Sequence, residues 1–273
     1  EVVKISIKAI RVNKVRTFLT MLGVIIGVAS VIILVSLVTG LGRSIEGELS
    51  SIGTNLITVF PGNPMTGSRG LGGIVQNKLE FRFAELIEEK VTNVLYAVPI
   101  ILSSGTSKYK NHTVKNSTIF ATPGNYFVVR DLELESGRYY SQNETGNAAV
   151  IGATVKKGLF KDIDAIGKTI TVKNKKIKVV GVLKEMGSIL GTDQDNRVVI
   201  PLNQVKSITG GDRPSWIVVK AGTKEKIPFV KNDITKLISK EIENDDFTVS
   251  TQKDTIEIVG RVLSIISIGL SGV

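Results

Sequence analysis

The chain has 273 residues, 42% of them hydrophobic, with a formal net charge of +10, no cysteine and one histidine. That length buries a real core in one large domain or two small ones. The missing cysteines exclude disulfides, thiolate nucleophiles and cysteine-ligated metals, and His112 alone makes no histidine-rich metal site. Apolar residues gather at the two ends, which explains a positive mean hydropathy of +0.19.

The charge is uneven. Lys4, Lys8, Arg11, Lys14 and Arg16 stand against Glu1 in the first sixteen residues, whereas the surplus beyond Arg43 is spread over the long middle without basic runs interleaved with aromatics. Nucleic acid is therefore not an expected partner. Val3, Ile7 and Ile10 fall on one helical stripe beside Lys4, Lys8 and Arg11, the pattern of a cytoplasmic interfacial helix over residues 1–16 anchored in a lipid bilayer. A period-two reading of Lys4–Lys8 is disfavoured, because an open strand against lipid leaves backbone groups unsatisfied.

Residues 17–42 follow without a charge. As a helix, Phe18–Leu41 extends about 36 Å and crosses a bilayer with some tilt. The run is longer than the h-region of a secretory leader, and the basic excess before it places the N-terminus in the cytoplasm. Residues 43–261 are then extracytoplasmic. Ile45, Leu49 and Ile52 continue the helical spacing as a stalk over 43–52, and Ile256 and Val259 offer a returning stalk over 251–261. From Val262 a second uncharged segment reaches Val273 in mid-pattern and reads as the start of a second transmembrane helix; a buried C-terminal helix is the competing reading. Small residues recur on one face of each apolar segment: Gly23, Gly27 and Ser30 in the first, and Gly260, Ser264, Ser267 and Ser271 in the second. In lipid such faces allow close helix packing.

Within the middle, strand–helix–strand occurs twice: Asn55–Phe60, Phe83–Lys90 and Val94–Leu102, then Ser215–Lys220, Lys226–Ile242 and Phe247–Thr251. The two units combine into a ferredoxin-type α+β layer over 53–102 and 198–250. Pro99 marks an edge or bulge. Residues 103–197 read as an inserted strand-rich subdomain with strands at Ser117–Thr122, Ala148–Ile151, Thr169–Val172 and Lys176–Val182, and another follows at Arg197–Ile200. Asn111, Asn116 and Asn143 open N-x-T triplets, too common by chance to support a prediction.

Chemistry is sparse. The glycine-rich run after Pro61 fits neither GxGxxG nor Walker A, and no G-x-S-x-G elbow occurs. Asp193 and Asp195 in GTDQDN look like a calcium loop only briefly, since the required glycine and distal glutamate do not follow. No catalytic, cofactor-binding or metal-binding residue is expected, and the chain is read as a non-enzyme.

Seven stretches in order carry a resemblance: IRVNKVRTFLTMLGVIIGVASVI (10–32), SSIGTNLITVFPG (50–62), GRYY (137–140), AVIGATV (149–155), AIGKTITV (165–172), KVVGVL (178–183) and DQDNRVVIPL (193–202). On these the chain resembles the MacB-type permeases of ABC transporters, a group that takes in FtsX-like relatives. The resemblance implies a four-helix permease subunit whose external domain has a porter-like part interrupted by a small strand-rich one. It also implies a homodimer with a second permease subunit, an ABC ATP-binding subunit as partner, ATP hydrolysis outside this chain, efflux by transmitted force, and a membrane-fusion or accessory protein outside. A receptor with a sensory domain between two transmembrane helices shares the same order of segments, as does a tethered hydrolase lacking here a catalytic cluster.

Overall fold

The computed structural model describes residues 14–51, 55–62, 77–142, 144, 146–189, 191–204 and 212–271. They divide into two units. One comprises the terminal helices, up to Glu48 and from Thr255, and the other is Leu49–Asp254.

In the first unit, α1 (Lys14–Ser51) runs as one helix of 38 residues, about 57 Å long at 1.5 Å per residue. Its portion Lys14–Gly40 has the length and apolarity to cross a membrane, with none of it buried. Hydroxyls inside this portion satisfy themselves locally: Thr20, Ser30 and Thr39 donate to the carbonyls of Arg16, Ile26 and Val35 at 2.9, 2.7 and 2.8 Å. Lys4, Lys8, Arg11 and Ile52 lie outside the described residues.

The second unit begins with β1 (Leu56–Pro61), α2 (Arg82–Lys90) and β2 (Val94–Tyr109). Its return is β11 (Trp216–Ala221), α5 (Ile227–Ile238) and β12 (Phe247–Thr251). The strands pair antiparallel in the order β12-β1-β11-β2, the split βαβ arrangement of ferredoxin-like folds. Both helices cover one face, where Ile57, Val59, Phe83, Ile87, Ile217, Val219, Val230 and Ile234 form a core. α5 stops at Ile238, four residues short of the expected Ile242, because the chain turns there; Ile242 is nevertheless buried against the same core.

The intervening chain supplies β3 (His112–Ala121), α3 (Tyr126–Val129), β4 (Leu134–Gly137), β5 (Ala148–Ile151), α4 (Ala153–Phe160), β6 (Thr169–Val172) and β7 (Lys175–Leu183). After these come the two-residue strands β8 (Ser188–Ile189) and β9 (Thr192–Asp193), which pair with each other, and then β10 (Arg197–Ile200). Pairing runs β2-β3-β10-β5-β7, and β6 joins β7 back to β2, so six strands close into a ring. A closed ladder leaves few free edges. Its interior holds Ile119, Ile151, Leu159, Phe160, Ile170, Ile177, Val179 and Val198, with α4 supplying Leu159 and Phe160.

The boundaries differ from the expected ones. β2 is unbroken through 102/103: its residues up to Ile100 pair with β11, and from Ile101 onward it pairs with β3. The second half carries serines without an apolar alternation, which hides it in the sequence; buried Ser107 and Ser117 satisfy each other at 3.1 Å. β10, expected to open the returning half at Val198, lies in the ring between β3 and β5. Pro99 sits in the first half of β2, the edge of the ferredoxin-type sheet, where a missing N–H is tolerated.

Candidate functional site

Three features bear on function: the apolar helix, the start of the returning helix, and a cleft in the second unit. Among the described residues, and apart from the helix's own backbone, no heavy atom lies within 4 Å of where a Cβ would stand on Gly23, Gly27 or Gly260. Ser30 and Ser264 are exposed. Among the described residues, no side chain therefore covers Gly23, Gly27 or Gly260. Lys14 and Arg16 are exposed at the start of α1. Ile45 and Leu49 belong to the same unbroken helix, whose 43–51 part continues the span without a break in backbone.

The returning helix α6 (Gln252–Ser271) is likewise continuous through the expected stalk and apolar segments, with Ile256 and Val259 half-buried and Ser267 and Ser271 near its end. A reciprocal cap fixes its start. The Asp254 amide donates to Thr251 Oγ1 at 3.2 Å, while Asp254 Oδ2 accepts from the Thr251 amide at 2.6 Å and its hydroxyl at 2.8 Å. Lys231 Nζ on α5 donates to the same oxygen at 2.8 Å. Burial pushes the Asp254 carboxyl up, but Lys231 and the two Thr251 donors outweigh it and hold the pKa below its ordinary 3.8.

The cleft, of about 440 Å³, opens where the ferredoxin-type sheet meets the ring. Phe60 and Trp216 come from the former, 6.3 Å apart; Phe120 and Tyr126 come from the other side, 6.1 Å apart. Arg197 lies 5% exposed at its wall, 5.2 Å from the Phe120 centroid. Its Nε donates to the Gln194 carbonyl and its Nη2 to Gln194 Oε1 at 2.6 Å. Burial lowers the Arg197 pKa and the second cation, Arg130, adds to it, while Tyr126 and the Asp195 carboxylate oppose it. Sequence reasoning passed over Arg197. The signal available was a charged residue leading directly into an all-apolar strand, VVI.

The acidic pair near this wall is structural. Asp195, 2% exposed, accepts from the amides of Met186 and Gly187 at 3.0 and 2.7 Å, and Asp193 Oδ1 accepts from those of Asp195 and Asn196 at 2.7 and 3.2 Å. Both carboxylates hold the turn before β10. His112 closes the β2–β3 hairpin opposite Tyr109.

An apolar helix of membrane-crossing length joined to a ferredoxin-type layer with an inserted strand ring defines a membrane-associated protein with an extended non-membrane domain. Residues 17–237 match the family described as the MacB-like periplasmic core domain. The chain belongs to that family. It is 34% identical over 263 residues to the macrolide export ATP-binding/permease protein MacB of Neisseria meningitidis, covering 95% of this chain and 40% of that protein. The MacB of Azoarcus sp. is 30% identical across 100% of this chain and 42% of its own length. The chain thus spans about two fifths of the curated relatives it matches. The periplasmic region of MacB from Actinobacillus actinomycetemcomitans superposes with a TM-score of 0.64 at 26% identity, over 77% of this chain and 95% of that one. The extracellular domain of YknZ, a noncanonic ABC-type transporter from Gram-positive bacteria, shares the fold with a TM-score of 0.58 at 19% identity, over 72% and 100%.

Proposed function

We propose that this chain is the mechanical part of an ABC-transporter permease subunit. ATP binding on a partner subunit closes a pair of nucleotide-binding domains, the two permease copies of a homodimer respond at their membrane helices, and the extracytoplasmic domain changes shape against an exported substrate or an accessory protein. No bond is made or broken in this chain. Lys4, Lys8, Arg11, Lys14 and Arg16 anchor the cytoplasmic end at the bilayer, residues 43–261 lie outside, and Gly23, Gly27, Ser30, Gly260, Ser264, Ser267 and Ser271 form the helix-packing faces.

The observation that carries this reading is the single helix Lys14–Ser51, unbroken from the basic end through the apolar span and the stalk positions Ile45 and Leu49. A rigid rod of that kind passes displacement along its length, as coupling between two discrete arrangements requires. Family membership supports the ATP-binding partner, because the matched relatives are named as combined ATP-binding and permease proteins.

The test places spin labels at Leu49 and Ile256 in the full permease, reconstituted in nanodiscs with its ATP-binding subunit. Distances are expected to shift between the nucleotide-free and ATP-trapped states. Unchanged distances in a preparation that hydrolyses ATP would remove the force-transmission reading. Purified without its partner, the chain is expected to bind no ATP and to turn over no substrate. Micromolar ATP binding by the isolated chain would contradict the non-enzyme assignment.

A further inference from the structure

A buried guanidinium carries a desolvation cost unless a counter-charge or several acceptors compensate it. Arg197 is compensated only in part. Gln194 holds Nε and Nη2, the Tyr126 phenol adds a hydrogen bond, and the buried Asp195 carboxylate attracts it from beyond ion-pair distance while being itself held by the Met186 and Gly187 amides. Arg130 lines the same cleft, likewise with no carboxylate at ion-pair distance among the described residues. Asp193 stands on the rim, with one oxygen already holding two backbone amides. Two cations and one carboxylate share the lining of this space with the hydroxyls of Thr58, Thr118 and Thr192 and with the rings of Phe60, Phe120 and Trp216. At about 440 Å³ the space is the size of a small-ligand site, and it combines apolar walls with a few converging polar groups.

We propose that this cleft binds an anionic ligand: a carboxylate joined to an apolar body. The carboxylate accepts from the Nη end of the Arg197 guanidinium, since Gln194 already occupies the Nε–Nη2 edge, and the charge assists that bond. The apolar body lies against Phe60 and Trp216. Arg130 adds attraction at the mouth. The walls come from both the ferredoxin-type sheet and the ring, so an occupant contacts the two parts at once. The same chemistry is offered by a peptide ending in an apolar residue and by a free aliphatic acid. The site stands independently of the transport reading, since it rests on the geometry of Leu49–Asp254 alone.

Trp216 is the sole tryptophan and lies in the cleft wall, so its emission reports occupancy directly. The full chain in detergent is titrated with N-acetyl-leucyl-leucine, with the C-terminal amide of the same dipeptide, and with hexanoate. A saturable change is expected for the acid with a Kd of about 1 mM or tighter, at least tenfold weaker for the amide. Hexanoate binding as tightly as the dipeptide acid assigns the site to small carboxylates, and hexanoate tenfold weaker assigns it to peptide ends; either supports the proposal. R197Q is expected to abolish the preference for acid over amide, and R130Q to weaken the acid several-fold. T118F, which fills the cleft from a partly exposed position without removing a charge, is expected to abolish binding and decides the matter should R197Q fail to fold. Equal responses to acid and amide, no saturable response, or a T118F protein that titrates like the parent would each overturn the site.

Discussion

Gly152 and Gly137 give two of the resemblance motifs, AVIGATV and GRYY, a physical meaning. A Cβ on Gly152 would stand 2.2 Å from the Asp195 carbonyl, at the point where its amide also donates to the Arg197 carbonyl at 2.9 Å. Gly137 has φ +83°, and a Cβ there would lie 2.3 Å from the Val180 carbonyl. Neither neighbour is a side chain that can swing away. Gly152→Ala is therefore expected to cost about 1–3 kcal/mol of stability, as forced overpacking does. Urea unfolding of the full chain checks this, and an unchanged midpoint would show that the backbone yields freely. Asp254 makes a prediction of different sign. Its folded pKa is held below 3.8, so its contribution is complete above that value and disappears as pH falls through the lower folded pKa. Asp254→Asn removes the charge that Lys231 and the Thr251 amide hold, with a loss on the order of 1 kcal/mol at neutral pH. The parent's urea midpoint should fall more steeply than the variant's between pH 5 and pH 3. Parallel curves would mean that this carboxylate does not link the start of α6 to α5.

The elements differ in how far they could be read from the sequence. α1 was legible because a charge-free apolar run of that length, flanked by basic residues, matches the thickness of a bilayer and exceeds what a small core can bury. β1, β11 and β12 were legible because their core residues alternate and turn residues bound them. The ring was not, since its closure depends on β6 meeting both β2 and β7, pairings set by topology and invisible in local pattern. The cleft was hidden for the same reason: Phe60, Phe120, Arg197 and Trp216 are far apart in the chain, and each has an ordinary local setting. Among the elements, α1 bears the most direct test. Among the described residues nothing lies within 4 Å of a Cβ at Gly23 or Gly27, so a leucine there meets no described neighbour, and on the proposed packing role it would collide with a partner helix. Gly23→Leu and Gly27→Leu in the full permease are expected to insert normally, to leave the external domain folded, and to impair transport or its coupling to ATP hydrolysis. Wild-type coupling in both variants would place the glycines toward lipid.

At the scale of the whole extracytoplasmic unit, the question is whether the ferredoxin-type layer and the inserted ring behave as two bodies or one. Each has its own core, but a third core joins them: Leu56, Val98, Ile100 and Val218 from the layer pack with Tyr126, Phe127, Tyr140, Val150 and Val199 from the chain of the insert. The buried Tyr140 hydroxyl donates within this third core, with the carbonyls of Thr122 and Ile200 at 2.9 and 3.1 Å. Lys220 on β11 reaches across to Asp131 Oδ1 at 2.6 Å and the Val128 carbonyl at 2.9 Å. β2 belongs to both parts without interruption. Separating them would expose this apolar interface and strand buried polar groups, each a loss of a kilocalorie or more by ordinary burial and hydrogen-bond magnitudes of about 1–3 kcal/mol. Leu49–Asp254 is accordingly expected to open as one cooperative unit. Hydrogen exchange followed by mass spectrometry tests this: peptides from β1 and β11 should share their opening free energy with peptides from β5 and β10. Tyr140→Phe, which removes one hydroxyl from the shared core, should lower both sets together by about 1 kcal/mol. Were the ring peptides alone to respond, the insert would be a separately folding module hung on the layer, and a ligand in the cleft would bridge two mobile bodies instead of lining one.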